Sequence, residues 1–234
     1  AQINNSSLNV GGDVLVQASG SITLKASKTI NTDGGEVTLI SNKDRTTGGG
    51  ILLESGAGIT TDGATTTGAN INLGSADNYA IGQLVGAAIS TPGGIILDGS
   101  NALNAGAGDM GLYGESNSTG GNIGVRLRSS ILTGSTITIL GKANTGVSGT
   151  GVGVYTATQI TTSDALIING NAEGSGTGSR SGLVLSGSNT TPALLKTTGT
   201  GALTLEGTGG GGTGTYSLGI YTVGAAIESS GGGD

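Results

Sequence analysis

The sequence predicts an all-β protein: a right-handed parallel β-helix of about eight coils, with three short strands in each. Three observations carry that expectation. A phrase recurs about every thirty residues, short apolar runs flank each copy of it, and the composition is dominated by glycine and small polar residues.

The phrase is Ile, any residue, then Thr or Ser, followed by a turn. Copies stand at Ile30-Asn31-Thr32-Asp33, Ile59-Thr60-Thr61-Asp62, Ile89-Ser90-Thr91-Pro92, Ile131-Leu132-Thr133-Gly134 and Ile160-Thr161-Thr162-Ser163, with weaker ones at Leu195-Lys196-Thr197 and Ile227-Glu228-Ser229. Successive anchors lie 29, 30, 42, 29, 35 and 32 residues apart. A period of about 20 to 50 residues marks a solenoid, a propeller or an array.

Before the anchors come Ile22-Thr23-Leu24, Ile51-Leu52-Leu53, Ala80-Ile81, Val125-Arg126-Leu127, Val154-Tyr155, Leu183-Val184-Leu185 and Ile220-Tyr221. After them come Val37-Thr38-Leu39, Ile71-Asn72-Leu73, Ile95-Ile96-Leu97, Ile137-Thr138-Ile139, Leu166-Ile167-Ile168 and Leu203-Thr204-Leu205. These runs are short, rich in β-branched residues and bounded by Gly, Ser, Asn or Asp, which is the strand signal. No window holds a 3.6-residue apolar stripe, and glycine interrupts nearly every ten residues, so helices are excluded. An antiparallel sandwich would need more tight hairpin turns than Asp33-Gly34, Asp62-Gly63 and Asp98-Gly99 supply, and would not need a thirty-residue period.

Equivalent strands recur in one chain direction, so stacking each repeat on the last pairs them into three parallel sheets. At roughly 4.8 Å per coil, about eight coils make a rod roughly 40 Å long. Parallel crossovers are right-handed in nearly all cases, hence the expected hand. Residues 1–234 read as one domain, a fragment or module of a longer shaft. Single repeats cannot fold alone, because burying about five aliphatic chains, at roughly 1.5 to 3 kcal/mol each, must offset the ordering of thirty residues.

Composition excludes several functions. Fifty glycines would suggest disorder, but apolar residues make up 34% of the chain and charged residues only 10%, the opposite of a disordered composition. With a net charge of −6 and nine scattered basic residues, there is no footprint for a phosphate backbone, so nucleic acid is not an expected partner. No run approaches the apolar length needed to span a bilayer, so membrane insertion of this segment is not expected, and the first thirty residues lack the order of a signal peptide. Cysteine and histidine are absent, which removes thiol nucleophiles, His-dependent triads and ordinary zinc sites. No catalysis and no cofactor are expected.

What remains are sites on the rod. Asp33 and Asp62 occupy the same repeat position, each before a glycine. They read first as solvated turn residues. Stacked carboxylates also suit a hard cation, making Asp33 and Asp62 the candidate metal ligands, although the Gly-Gly-x-Gly-x-Asp repeat of calcium-binding rolls is absent. Tyr155 and Tyr221 share the phrase Gly-Val/Ile-Tyr-Thr, five and six residues before their anchors. They are the candidate ligand-binding residues, because aromatic faces stack on sugars. Gly207 to Gly214 lacks the Lys-Ser/Thr ending of a phosphate loop and reads as a long loop. Irregular spacing places insertions near residues 99 to 123, 170 to 181 and 207 to 214.

Two stretches carry a family resemblance: Ile59-Thr60-Thr61-Asp62-Gly63 with Ala69-Asn70-Ile71-Asn72-Leu73, and residues 198–207 (Thr-Gly-Thr-Gly-Ala-Leu-Thr-Leu-Glu-Gly) with Leu218-Gly219-Ile220-Tyr221. They resemble the shaft of filamentous-haemagglutinin-type exoproteins of bacterial two-partner secretion, through essentially the whole chain and by structural motifs of low specificity. The resemblance implies a secreted or surface-anchored β-helix used in adhesion, aggregation or biofilm matrix. It implies as partners host or bacterial surface glycans, and further copies added end to end into fibres. Autotransporter passengers share the architecture. The family's amino-terminal secretion domain carries Asn-Pro-Asn-Gly-type motifs, and no Asn-Pro occurs in this chain, which fits a piece of shaft. The alternative from another class is a β-helical polysaccharide-binding or polysaccharide-degrading protein. It would use paired carboxylates about 5 to 9.5 Å apart.

Overall fold

A computed structural model describes residues 2–3, 8–41, 49–63, 67–74, 80–82, 93–116, 121–144, 148–172, 174, 177–211 and 213–230. Among them are twenty-four strands and no helix. They form three sheets, and every pairing within them is parallel between successive coils. Sheet 1 stacks Gln2–Ile3, Ile22–Leu24, Ile51–Leu53, Gly93–Asp98, Gly121–Arg128, Ser148–Val154, Arg180–Ser186 and Ile220–Val223. Sheet 2 stacks Leu8–Asn9, Thr29–Asn31, Gly58–Thr60, Ala102–Asn104, Ile131–Gly134, Gln159–Thr162, Ala193–Thr197 and Ala225–Ser229. Sheet 3 stacks Val14–Gln17, Val37–Ile40, Ile71–Leu73, Met110–Ser116, Ile137–Ala143, Leu166–Ala172 and Leu203–Gly209. The chain is a parallel β-helix with three strands per coil.

Each coil sends about five aliphatic side chains inward. Sheet 2 contributes one ladder, Leu8, Ile30, Ile59, Leu103, Leu132, Ile160, Leu195 and Ile227, in direct register from coil to coil. Sheets 1 and 3 contribute two each, as in Val125 with Leu127 and Ile137 with Ile139, all fully buried. Alternation with period two forces this, since side chains at i and i+2 share a face.

In four copies of the phrase the threonine is also inward. Thr32, Thr61, Thr162 and Thr197 are fully buried, and the Thr32 and Thr61 hydroxyls donate to the carbonyls of Gly35 and Ala69 across the following corner. A buried hydroxyl without a partner is costly, so in these two coils the threonine closes the corner as well as filling space. The corner from sheet 1 to sheet 2 holds a column of left-handed residues: Ser27, Gly56, Ser100, Ser129 and Ala157, with φ of 58°, 75°, 54°, 52° and 59°. Only one of the five is glycine, although glycine is the residue expected at such corners.

Glycine has a different task in sheets 1 and 3. Gly114, Gly141, Gly170 and Gly207 form a register column in sheet 3. Opposite them run Gly124, Gly151 and Gly182 of sheet 1 and Gly219, next to its last strand. A side chain on Gly114, Gly141, Gly170 or Gly207 would collide with the carbonyl of Gly124, Gly151, Gly182 or Gly219, respectively. The two backbones therefore touch, and beyond this line the sheets continue as a flat fin attached to the triangular core. The fin has its own interior: Ser116, Ala143 and Ala172 face Asn122, Gly149 and Arg180, all buried. Arg180 is 1% exposed. Its Nε donates to the Ala172 carbonyl at 2.9 Å and its Nη2 to the Ala143 carbonyl at 2.7 Å, satisfying a charge that would otherwise be costly to bury.

The structure moves four strand assignments. At the fourth anchor the ladder residue is Leu132; Ile131 points outward and is 50% exposed. Two adjacent apolar residues leave the inward parity undetermined, and a slip of one reverses the faces. Ile95-Ile96-Leu97 belongs to sheet 1, stacked on Ile51–Leu53, not to sheet 3. Ala80–Gly82 pairs with Met110–Ser116 in sheet 3, not in sheet 1. The described residues between 99 and 123 are no insertion but belong to a coil, whose inward sheet 2 residue is Leu103, with Ala105 at the position of Thr32, Thr61, Thr162 and Thr197. The long interval instead falls between Ile71–Leu73 and Gly93–Asp98. The anchor Ile89-Ser90-Thr91-Pro92 lies outside the described residues. The longer connections near 170 to 181 and 207 to 214 fall at the fin tip, between sheets 3 and 1, with Gly207 to Gly209 completing a strand.

Candidate binding cleft

The outer face of sheet 1 carries a cleft built across three coils. On Gly121–Arg128, Val125 and Leu127 point into the core, so Arg126 and Arg128 point out. Asp98 lies one coil before, in register with Arg128. Its carboxylate is 3.3 Å from Arg126 Nη2 and 3.9 Å from Arg128 Nε. One coil after, Gly153 is in register with Arg126, and the Tyr155 ring folds back over it, so that any side chain at Gly153 would strike the ring. The Arg126 guanidinium carbon is 5.9 Å from the ring centroid, within cation–π range.

Arg126 is therefore held between a carboxylate and an aromatic face. Its side chain is 13% exposed, and its buried Nε has no hydrogen-bond partner. Arg128 is 55% exposed. Burial pushes the Tyr155 phenol above its ordinary value, with the Arg126 charge and a hydrogen bond to Thr150 pulling the other way. Ile123, Arg126, Arg128, Tyr155 and Thr156 line an open cleft of about 310 Å³. Two guanidiniums share one carboxylate there, leaving one positive charge beside an aromatic and an aliphatic wall.

Of the sequence candidates, Tyr155 sits in this cleft. Tyr221 is on the same outer face two coils further on, reached through the register column Gly153, Val184, Tyr221. The two tyrosines do not meet: Tyr221 packs against Tyr216, ring centroids 5.7 Å apart at 52°. Asp33 and Asp62 do line one depression, of about 510 Å³, together with Asn9 and Asn31. Asp33 is itself left-handed, with φ of 46°, and its backbone N–H donates to Asn31 Oδ1 at 3.2 Å. Asp62 Oδ2 accepts from Asn104 Nδ2 at 3.3 Å. Among the described residues no group of three or more Asp or Glu comes together as a metal cluster would.

Other polar corner residues, Asp13, Asn70 and Asp109, are structural. Asp13 Oδ1 accepts from the Glu36 N–H at 2.8 Å, Asn70 Oδ1 from the Asp109 N–H at 2.9 Å, and Asp109 Oδ1 from the Thr136 N–H at 3.0 Å. Each caps the next coil at the entry to sheet 3. Sequence reasoning missed Arg126, Arg128 and Asp98, because residues 98, 126 and 155 become neighbours only through coil register. The one available signal was the Arg-x-Arg spacing, which puts two cations on one strand face.

These features define a parallel β-helix protein with a fin along one edge and a cationic, aromatic-walled cleft on one face. No protein family, curated protein or solved structure matches the chain.

Proposed function

We propose that the chain is a shaft segment of an extracellular bacterial adhesin of the filamentous-haemagglutinin type, secreted or held at the cell surface. It works by length, stiffness and surface contact in adhesion, aggregation or matrix-fibre formation, without catalysis. The observation that supports this most is the continuity of three parallel sheets through successive coils, which makes a rod whose faces repeat. The last described coil leaves its inward residues Ile220 and Ile227 exposed at 42% and 49%. That end can accept a further coil, from a continuing chain or from another copy, and the second case gives fibres by strand-edge pairing. Display of the segment on a non-adherent bacterial surface tests the reading. Aggregation or surface attachment above the level of a β-helix of unrelated sequence is expected, and an unchanged level would count against adhesion.

The second reading, a polysaccharide-binding or polysaccharide-degrading β-helix, draws on the depression shared by Asp33 and Asp62. Glycan turnover that disappears in Asp62→Asn would favour it over the shaft.

A further inference from the structure

We propose that the cleft between Arg126, Arg128 and Tyr155 binds a carboxylate-bearing sugar, of the uronic-acid class. The proposal deepens the adhesive reading by naming a ligand, and rests on that reading only for the extracellular setting.

The chemistry of the walls selects the ligand. A guanidinium fork matches a carboxylate with two parallel hydrogen bonds. Arg128 is the free arm of the pair, since it is 55% exposed and its ion pair with Asp98 is long, at 3.9 Å. Arg126 is the fixed arm, clamped by Asp98 at 3.3 Å and by the Tyr155 ring. Ile123 and Tyr155 offer apolar surface to the C–H face of a sugar ring, and Thr156 completes the lining. A volume of about 310 Å³ stands at the small end of ligand sites, the scale of one or two sugar units. The local positive charge stands out in a chain of net charge −6, so an anion is drawn here and repelled from most of the remaining surface. A polyanion with many phosphates would need a longer basic track than these two arginines form.

The test is calorimetric titration of the whole chain with tetragalacturonate. Its methyl ester, a neutral galactose tetramer and a sulfated galactose tetramer serve as comparison ligands. Saturable binding of the free acid is expected, weakened by salt, abolished by esterification and about tenfold or more weaker in Arg128→Gln, as loss of a hydrogen bond to a charged group implies. Arg128 is exposed enough for that variant to fold, and Tyr155→Leu provides a second one that keeps the apolar wall. Absence of saturable heat, equal affinity for acid and ester, or an affinity indifferent to Arg128→Gln would overturn the proposal. Preference for the sulfated tetramer would overturn the carboxylate assignment. Adhesion by the displayed segment that survives Arg128→Gln would place adhesive contact elsewhere, whereas titration binding without any adhesion would keep the cleft and remove the adhesive reading.

Discussion

Gly170 of sheet 3 and Gly182 of sheet 1 are in backbone contact: a methyl group on Gly170 would overlap the Gly182 carbonyl. The contact repeats from coil to coil along the fin, and neither sheet can give way without breaking its ladder. Gly170→Ala is therefore expected to destabilise the protein by about 3 kcal/mol, the upper range for overpacking a close-packed interior. Gly211→Ala, where nothing lies within 4 Å, should change stability by less than about 0.5 kcal/mol. Urea denaturation midpoints of the two variants measure the difference.

Register at the fourth anchor gives a second contrast. Leu132 is fully buried and Ile131 is half-exposed. Leu132→Ala should cost about 2 to 5 kcal/mol through lost burial and a cavity, and Ile131→Ala under about 0.5 kcal/mol. Equal costs would mean that the strand is shifted by one residue.

Ala157 holds φ at 59°, a conformation that costs a residue with a Cβ roughly 1 to 2 kcal/mol. Glycine removes that cost and adds back some chain entropy. Ala157→Gly is thus expected to stabilise the protein by about 0.5 to 1 kcal/mol, visible as a raised melting temperature.

Lys25 Nζ donates to Glu54 Oε1 at 2.6 Å, and the Ala26 N–H donates to Oε2 at 3.1 Å. The Lys25 hydrogen bond is the main cause that holds the Glu54 carboxyl below its ordinary value, with burial opposing it. A depressed carboxylate contributes stability above the unfolded-state value of about 4.5 and loses it as pH falls through the folded value. The pair is partly exposed, so its contribution stays under about 1 kcal/mol. Glu54→Gln should flatten the acid limb of the stability profile by that amount and leave its alkaline limb unchanged.

The coil was legible because its signal is local. Ile30-Asn31-Thr32 and its copies show period-two alternation within a few residues, and the repeat supplies the stacking direction. Leu103 was missed because Ala105 stands at the position where Thr32, Thr61, Thr162 and Thr197 mark their coils. The glycine ladder was hidden for a different reason. Leu112-Tyr113-Gly114-Glu115-Ser116, Ile139-Leu140-Gly141-Lys142-Ala143 and Ile168-Asn169-Gly170-Asn171-Ala172 repeat a mid-strand glycine with a small residue two positions on, but only contact between two sheets gives that glycine a purpose. Arg126, Arg128, Asp98 and Tyr155 meet through lateral register, which a single sequence carries only indirectly. Tyr155 was found by its aromatic character, and its partners were not.

Successive coils stack in register, and electron-spin distance measurement reads that register directly. The chain has no cysteine, so labels can be placed in pairs at outward positions of sheet 2. Asn31 and Lys196 occupy one column, linked through Thr60, Asn104, Thr133 and Thr161. Five inter-strand spacings separate them, so a narrow distribution near 24 Å is expected, falling by about 5 Å when the first label moves to Thr60 and by about 5 Å more at Asn104. Distances that are broad, or that fail to shorten in equal steps along the column, would contradict the stacked-coil architecture.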